Sequence, residues 1–237
     1  MSGILILTAV ELEAAGLARE LELPALAGLP FRAFGRGPVR IVPVGLGGGL
    51  LAERWAPSLD GLAAPLVISA GVCGGLDPRL GAGDLVVPAR VLAADGAALS
   101  VTPGAHARAV VLAGPGVEAG VLATSSSVVA TPADKAALRA ATGAAAVDME
   151  SAPILAAARA AGTAALVVRA VSDDAAASVP PALAALVSRE GRVRGGRALL
   201  LALTQPQTLP RAFALRRGGR RALAAVARVL AGLLAAA

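Results

Sequence analysis

The stretch Ala164-Ala165-Leu166-Val167-Val168-Arg169-Ala170-Val171-Ser172-Asp173-Asp174-Ala175 decides how this chain must fold. Residues 164–171 are apolar at almost every position, Arg169 excepted, so both faces of the strand they form must be covered. The strand then stops at Ser172-Asp173-Asp174, and in sheets of this kind ligands collect beyond the carboxyl ends of strands. Similar apolar runs come earlier, at residues 3–8 (GILILT), 39–44, 65–70, 85–94, 120–124 and 145–149. Helical spacing fills the intervals at 9–22, 48–56, 105–112, 132–142, 150–161 and 181–188. Buried strands alternating with helices predict an α/β fold, a three-layer αβα sandwich with a mixed, largely parallel central sheet.

Composition narrows what such a fold can be doing. A chain of 237 residues is one ordinary domain. Mean hydropathy is +0.72, yet the longest uncharged runs, near residues 62–76 and 119–133, are broken by Gly, Pro or Ser and are too short to span a bilayer. The N-terminus has no basic leader, so the expected location is cytoplasmic. The single Cys73 excludes a disulfide framework, and the single His106 excludes a histidine metal cluster. With no Tyr, one Trp and three Phe, stacking platforms for nucleic acid are nearly absent. The net charge of +6 sits in the tail: residues 1–187 carry 12 basic and 15 acidic side chains, residues 188–237 ten Arg and one Glu. We therefore expect a body of residues 1–187 and a basic helical extension of the same domain over 188–237. Arg replaces Lys everywhere but at Lys135, which reads as compositional bias. In the tail, Gly218-Gly219 is expected to interrupt a helix begun near Thr208. Beyond it Leu223, Val226, Leu230 and Leu233 share one face of a basic amphipathic helix, which either packs on the sheet or lies on an anionic membrane.

Four segments carry chemistry. Thr8-Ala9-Val10-Glu11-Leu12-Glu13 puts a carboxylate, Glu11 or Glu13, after the first strand; as a first-turn acid it also suits the helix dipole. Ser69-Ala70-Gly71-Val72-Cys73-Gly74-Gly75, followed by Gly81-Ala82-Gly83-Asp84-Leu85-Val86-Val87-Pro88, lets backbone approach a ligand closely but matches no dinucleotide or Walker spacing. Val147-Asp148-Met149-Glu150-Ser151 ends a strand in acids, with Asp148 also a candidate helix cap. In the fourth, Asp173 and Asp174 repel one another, and an apolar pocket would hold one of them protonated as a general acid.

Together, VDMES at 147–151, RAVSDDA at 169–175, the glycine segment and GDLVVP at 83–88 resemble the nucleoside phosphorylase and nucleosidase family, which includes methylthioadenosine/S-adenosylhomocysteine nucleosidases and futalosine hydrolases. The resemblance covers residues 3–176 and implies cleavage of the N-glycosidic bond of a purine nucleoside with release of adenine. It implies that Asp173, preceded by Ser172, protonates or hydrogen-bonds N7 of the leaving base. It makes Glu150 the ribose-binding carboxylate, with Met149 beneath the sugar, and Glu13 the water-activating base. Val129 takes the position whose backbone meets the adenine edge, and Gly74 belongs to the substrate-binding glycine segment. Arg169 and Asp148 are supporting residues. Neither cofactor nor metal is implied.

Two departures stand out. Where phosphorolytic relatives carry Arg and Ser or Thr for phosphate, this chain has Ser69 and Val72, so hydrolysis fits better. Where many relatives stack an aromatic ring on the base, it has Val128. The Pro180-Pro181 stretch and basic tail are similar to the hopanoid-associated phosphorylase group, which points to adenosylhopane as substrate and to peripheral membrane contact through the C-terminal helix. The alternatives are a methylthioadenosine/S-adenosylhomocysteine nucleosidase, a futalosine hydrolase, or a catalytically inactive nucleoside-binding membrane scaffold. A homodimer is expected, and no nucleic-acid partner.

Overall fold

The computed structural model describes residues 3–63, 65–179 and 209–236, with side chains in the last segment from Arg217 onward. The order of elements is β1 (Ile4–Thr8), α1 (Glu11–Glu20), β2 (Phe34–Arg36), β3 (Val39–Pro43), α2 (Leu51–Leu59), β4 (Leu66–Gly75), β5 (Leu85–Val86), β6 (Arg90–Leu92), β7 (Ala98–Ser100), α3 (Pro103–Ala113), β8 (Val121–Thr124), α4 (Pro132–Thr142), β9 (Ala146–Asp148), α5 (Ser151–Ala160), β10 (Ala165–Asp173) and α6 (Leu209–Leu234). The sheet runs β2-β3-β1-β4-β9-β8-β6-β7, with β10 paired to β4 and β5. Pairings β1–β3, β1–β4, β4–β10, β6–β8 and β8–β9 are parallel; β2–β3, β4–β9, β5–β10 and β6–β7 are antiparallel.

Period-two alternation divides the core as the sequence demands. Leu5, Leu7, Val167 and Val171 face one buried layer with Ile154 and Leu155 of α5. Ile4, Ile6, Leu166, Val168 and Ala170 face the other, with Leu17 of α1, Ala109 of α3 and Val226 and Leu230 of α6. Side chains of successive strand residues point to opposite faces, so a fully apolar run requires helices on both sides.

Several boundaries differ from expectation for local reasons. The run 85–94 is two strands, β5 and β6, separated at Pro88, which has no N–H to give a ladder. The helix expected over 48–56 is α2, starting at Leu51 because Gly47 and Gly48 adopt φ +62° and +73°. Strands β2 and β7 carry no apolar alternation and were not expected; β7 is the return arm of a hairpin turning at Asp95-Gly96. The helical pattern at 181–188 and the boundary at 187/188 lie outside the described residues.

The tail corrects one expectation and decides between two readings of another. Helix α6 runs unbroken through Gly218-Gly219. A Cβ on Gly218 would lie 2.2 Å from the Ser172 carbonyl oxygen, so glycine here permits close packing of helix on strand rather than marking a break. The apolar face, Ala222, Val226, Val229, Leu230 and Leu233, is buried in the second core layer. That face is packed on the sheet and is not available to a bilayer, while Arg217, Arg220, Arg221 and Arg228 remain exposed. Among the described residues no helix is long and apolar enough to cross a membrane.

Candidate active site

The carboxyl ends of β1, β4, β9 and β10 converge on a cavity of about 310 Å³. Its wall includes Val10, Glu13, Leu46, Val72, Cys73, Gly74, Ser127, Val128, Val129, Asp148, Met149, Glu150, Ser172, Asp173 and Val179. Every residue expected to form the site therefore lines one space, except Arg169, which lies fully buried behind it.

Of the two candidate acids on the first helix, Glu13 lines this cavity. Its Oε2 accepts from the N–H groups of Ala9 (3.0 Å) and Val10 (3.3 Å), so it caps α1 from the third helical position. Its Oε1 accepts from the Val72 N–H at 2.9 Å, across the glycine segment. Gly71 makes that approach possible: a Cβ there would sit 2.6 Å from Glu13 Oε1 and 2.8 Å from Arg169 Nη1. Burial raises the Glu13 carboxyl above its ordinary range, against the opposing pull of Arg169 and the three amides.

Arg169 gathers the neighbouring acids. Its Nη2 lies 2.8 Å from Asp148 Oδ2 and 3.9 Å from Glu150 Oε2, and donates to Ser69 Oγ at 2.8 Å. Asp148 is not the N-cap of α5, a position held by Glu150, but it accepts from the Ser151 N–H at 3.1 Å and takes a 2.7 Å bond from Thr124 Oγ1. Ser69, where phosphorolytic relatives would carry Arg, is thus fully buried in this network. Glu150 receives one amide, Gly47 N–H at 2.9 Å. Burial pushes its carboxyl up to about 7, Asp148 and Glu13 add repulsion, and Arg169 and the Gly47 amide act the other way. Burial likewise raises the Cys73 thiol, leaving it an inert wall group.

Asp173 reaches the cavity through an irregularity. The β4–β10 register shifts between Val171 and Asp173, so Ser172 is an extra residue that re-aims the strand end. Ser172 Oγ donates to Asp173 Oδ1 at 2.6 Å. The apolar cage expected around this acid is not what surrounds it. Lys135 Nζ, on α4, donates to Asp173 Oδ2 at 2.6 Å. Sequence reasoning passed over Lys135, whose signal was its solitude among 22 basic residues. It also passed over Leu46, Gly47 and Val179, loop residues without a chemical signature.

The wall at Val128 and Val129 is aliphatic: Val128 is 44% exposed, and Val129 packs against the cluster of Leu76, Ala123, Ala144 and Val147. Among the described residues no cluster of three or more His, Cys, Asp or Glu side chains could hold a metal ion. The arrangement offers two raised carboxyls, a third acid fixed by an ammonium and a hydroxyl, and a hydrophobic slot between them. Such a set can bind sugar hydroxyls, activate water and stabilise a departing base.

A family model described as the phosphorylase superfamily matches residues 4–202, and the chain belongs to that superfamily. It is therefore an enzyme of the class that the motifs at 147–151 and 169–175 resemble. Among solved structures, the 5'-methylthioadenosine/S-adenosylhomocysteine nucleosidase of Neisseria meningitidis, in complex with methylthio-immucillin-A, superposes with TM-score 0.75 at 20% identity, over 100% of each chain. The corresponding nucleosidase from Colwellia psychrerythraea, in complex with adenine, gives 0.72 at 21% identity, over 99% of this chain and 95% of that one. The futalosine hydrolase of Helicobacter pylori gives 0.71 at 17% identity, over 100% and 98%. These likenesses establish the fold. No curated protein sequence matches this one significantly.

Proposed function

We propose that this cavity cleaves the N-glycosidic bond of a purine nucleoside and releases adenine, with water rather than phosphate as nucleophile. The observation that carries the reading is that Glu13, Glu150 and Asp173, from three distant strand ends, line one cavity of about 310 Å³. In the reaction Glu150 holds the ribose hydroxyls over Met149, and Glu13 takes a proton from the water that attacks C1′. The C1′–N9 bond breaks with its electron pair going to the purine. Asp173, with Ser172, meets the resulting charge by protonating or hydrogen-bonding N7. The Val129 backbone borders the adenine edge, with Val128 covering its face and Gly74 beneath. Arg169, itself held by Asp148, is the cation that faces Glu150 and Glu13.

Three features favour water. The Val72 N–H is already bonded to Glu13. Ser69 is committed to Arg169 and Ser151. Arg36 and Arg40, cations that could have served a phosphate, donate instead to the backbone carbonyls of Glu22, Pro57 and Ser58. A phosphate dianion would also face Glu13 and Glu150 directly.

For the particular nucleoside we propose adenosylhopane, acted on by a homodimer at the inner face of a membrane. A cavity near the lower limit of small-molecule sites takes a nucleoside head and leaves a long 5′ substituent outside. The half-exposed Val128 provides apolar surface at the cavity wall. Since the apolar face of α6 is packed on the sheet, membrane attraction is assigned to Arg217, Arg221 and Arg228, which share one exposed side of the helix. The enzyme alternatives, methylthioadenosine/S-adenosylhomocysteine nucleosidase and futalosine hydrolase, draw on the neighbours named above. Release of the free base measured side by side from adenosylhopane in vesicles, methylthioadenosine, S-adenosylhomocysteine and futalosine separates them. Preference for the vesicle-borne substrate is expected; preference for methylthioadenosine would remove the hopanoid assignment.

A further inference from the structure

We propose that Lys135 is a positioning residue of this site, a single ammonium that sets the orientation of Asp173 and staples together the two loops forming the base subsite. The proposal rests on the nucleosidase reading above.

Lys135 is fully buried. Its Nζ donates to Asp173 Oδ2 at 2.6 Å, to the Asp174 carbonyl at 2.6 Å and to the Ala177 carbonyl at 3.2 Å. Three acceptors thus meet the three protons of one ammonium, leaving it no spare donor. With Ser172 Oγ on the other oxygen, both oxygens of Asp173 are held, so the carboxylate plane is fixed. The same ammonium anchors the segment after β10, which returns to bond Val179 N–H to the Ala130 carbonyl at 2.9 Å and contributes Val179 to the cavity wall. Val128 and Val129 come from the loop leading into α4, the helix that carries Lys135. Base-facing wall and acid are therefore joined at one nitrogen.

Two independent observations indicate that this lysine is there for its geometry. It lies near the N-terminus of α4, where the helix dipole disfavours a cation. And it is the one lysine in a chain whose other basic residues are all arginine. A planar guanidinium sends its donors outward in a fork, whereas an ammonium directs three from one point. Convergent acceptors around a single atom require the latter.

The test is steady-state adenine release, with the nucleoside that the wild-type enzyme turns over best, by Lys135→Met, Lys135→Arg, Asp173→Asn and the double variant Lys135→Met/Asp173→Asn, together with adenine binding by calorimetry and thermal unfolding of each. Lys135→Met is expected to lower kcat roughly 10–100-fold and to raise KM, as a displaced acid and a loosened wall would. Lys135→Arg, which keeps the charge, is expected to recover only part of either. Adding Lys135→Met to Asp173→Asn should cost no more than about twofold further in kcat, because both act through one carboxylate. Multiplicative losses in the double variant would overturn the proposal, as would wild-type kcat and KM in Lys135→Arg or in a folded Lys135→Met. If Lys135→Met does not fold, the Lys135→Arg result decides. Should the wild-type protein cleave no nucleoside, the functional reading fails; unaltered adenine affinity in the Lys135 variants would then sink the lysine proposal separately.

Discussion

The two ends of the cavity hold their acids by opposite means. At the β10 end, Asp173 is fixed by side chains: an ammonium at 2.6 Å on one oxygen and a hydroxyl at 2.6 Å on the other. At the β1 and β9 end, Glu13 rests on three backbone amides and Glu150 on one, and Arg169, their common cation, is closest to Asp148. Burial raises Glu13 and Glu150 alike, repulsion from Asp148 and Glu13 adds to it at Glu150, and the single Arg169 guanidinium opposes both shifts without reversing them. One end is built to keep a geometry, the other to hold a proton. For glycosidic hydrolysis that division is useful: the departing base needs an acid in a fixed plane, and the attacking water needs a base of raised proton affinity.

Breaking the fixed end should have the largest effect. Asp173→Asn is expected to reduce kcat by roughly 10²–10⁴-fold, the range of a positioned acid. It also replaces the carboxyl oxygen that accepts from the buried Lys135 ammonium with an amide group, so the melting temperature should fall too. Steady-state kinetics beside thermal unfolding would check both, and near-full turnover would remove Asp173 from the proposed mechanism. At the proton-holding end, Glu13→Gln should lower kcat roughly 10²-fold by losing the base; its amide oxygen can still accept from Ala9 and Val10, while its NH2 gives up the bond from the Val72 N–H. An unchanged kcat would mean that Glu13 serves only as the cap of α1.

A smaller effect tests how the fixed end is supported from outside. Gly218→Ala puts a methyl group 2.2 Å from the Ser172 carbonyl, one residue before Asp173. Overpacking of this kind costs roughly 1–3 kcal/mol. We expect a lower melting temperature together with a several-fold loss of kcat, whereas Gly219→Ala, with nothing within 4 Å of its Cβ, should alter neither. Equal behaviour of the two variants would disconnect α6 from the site.

The smallest signal is the pH dependence of the proton-holding end. The Glu150 carboxyl is raised from 4.5 to about 7, so the folded chain binds its proton more tightly than the unfolded chain does. Its contribution to stability is therefore fully present below about 4.5 and is lost as pH rises through about 7. The melting temperature of the ligand-free protein should decline across that window, and Glu150→Gln should flatten the slope. Nucleoside affinity should move oppositely, strengthening toward higher pH as the carboxylate becomes free to accept ribose hydroxyls. A flat melting profile in the wild-type protein would contradict the raised Glu150.

The contrast between the ends also explains what was legible in the sequence. Acids at the ends of apolar runs are visible because a buried strand that stops at a carboxylate is unusual; Glu150 and Asp173 could be read this way, whereas the choice between Glu11 and Glu13 stayed open until the structure put Glu13 in the cavity wall. The layered fold was equally legible, since fully apolar runs admit no other packing. Lys135 was not, because its meaning lies in three acceptors drawn together from residues 173–177, and nothing local to α4 announces them. The Gly218-Gly219 pair was misread for the same reason: a glycine that breaks a helix and one that lets a helix touch a strand look alike until the strand is present. Short hairpin strands such as β7 escaped because they bury too little to impose a pattern.

The account depends most on release of free adenine with water as the nucleophile. Product analysis of the wild-type enzyme on an adenine nucleoside, in phosphate-free buffer and again with phosphate, tests this directly. The account predicts adenine and a free reducing sugar at the same rate in both. Formation of a sugar 1-phosphate, with no base released when phosphate is withheld, would contradict it.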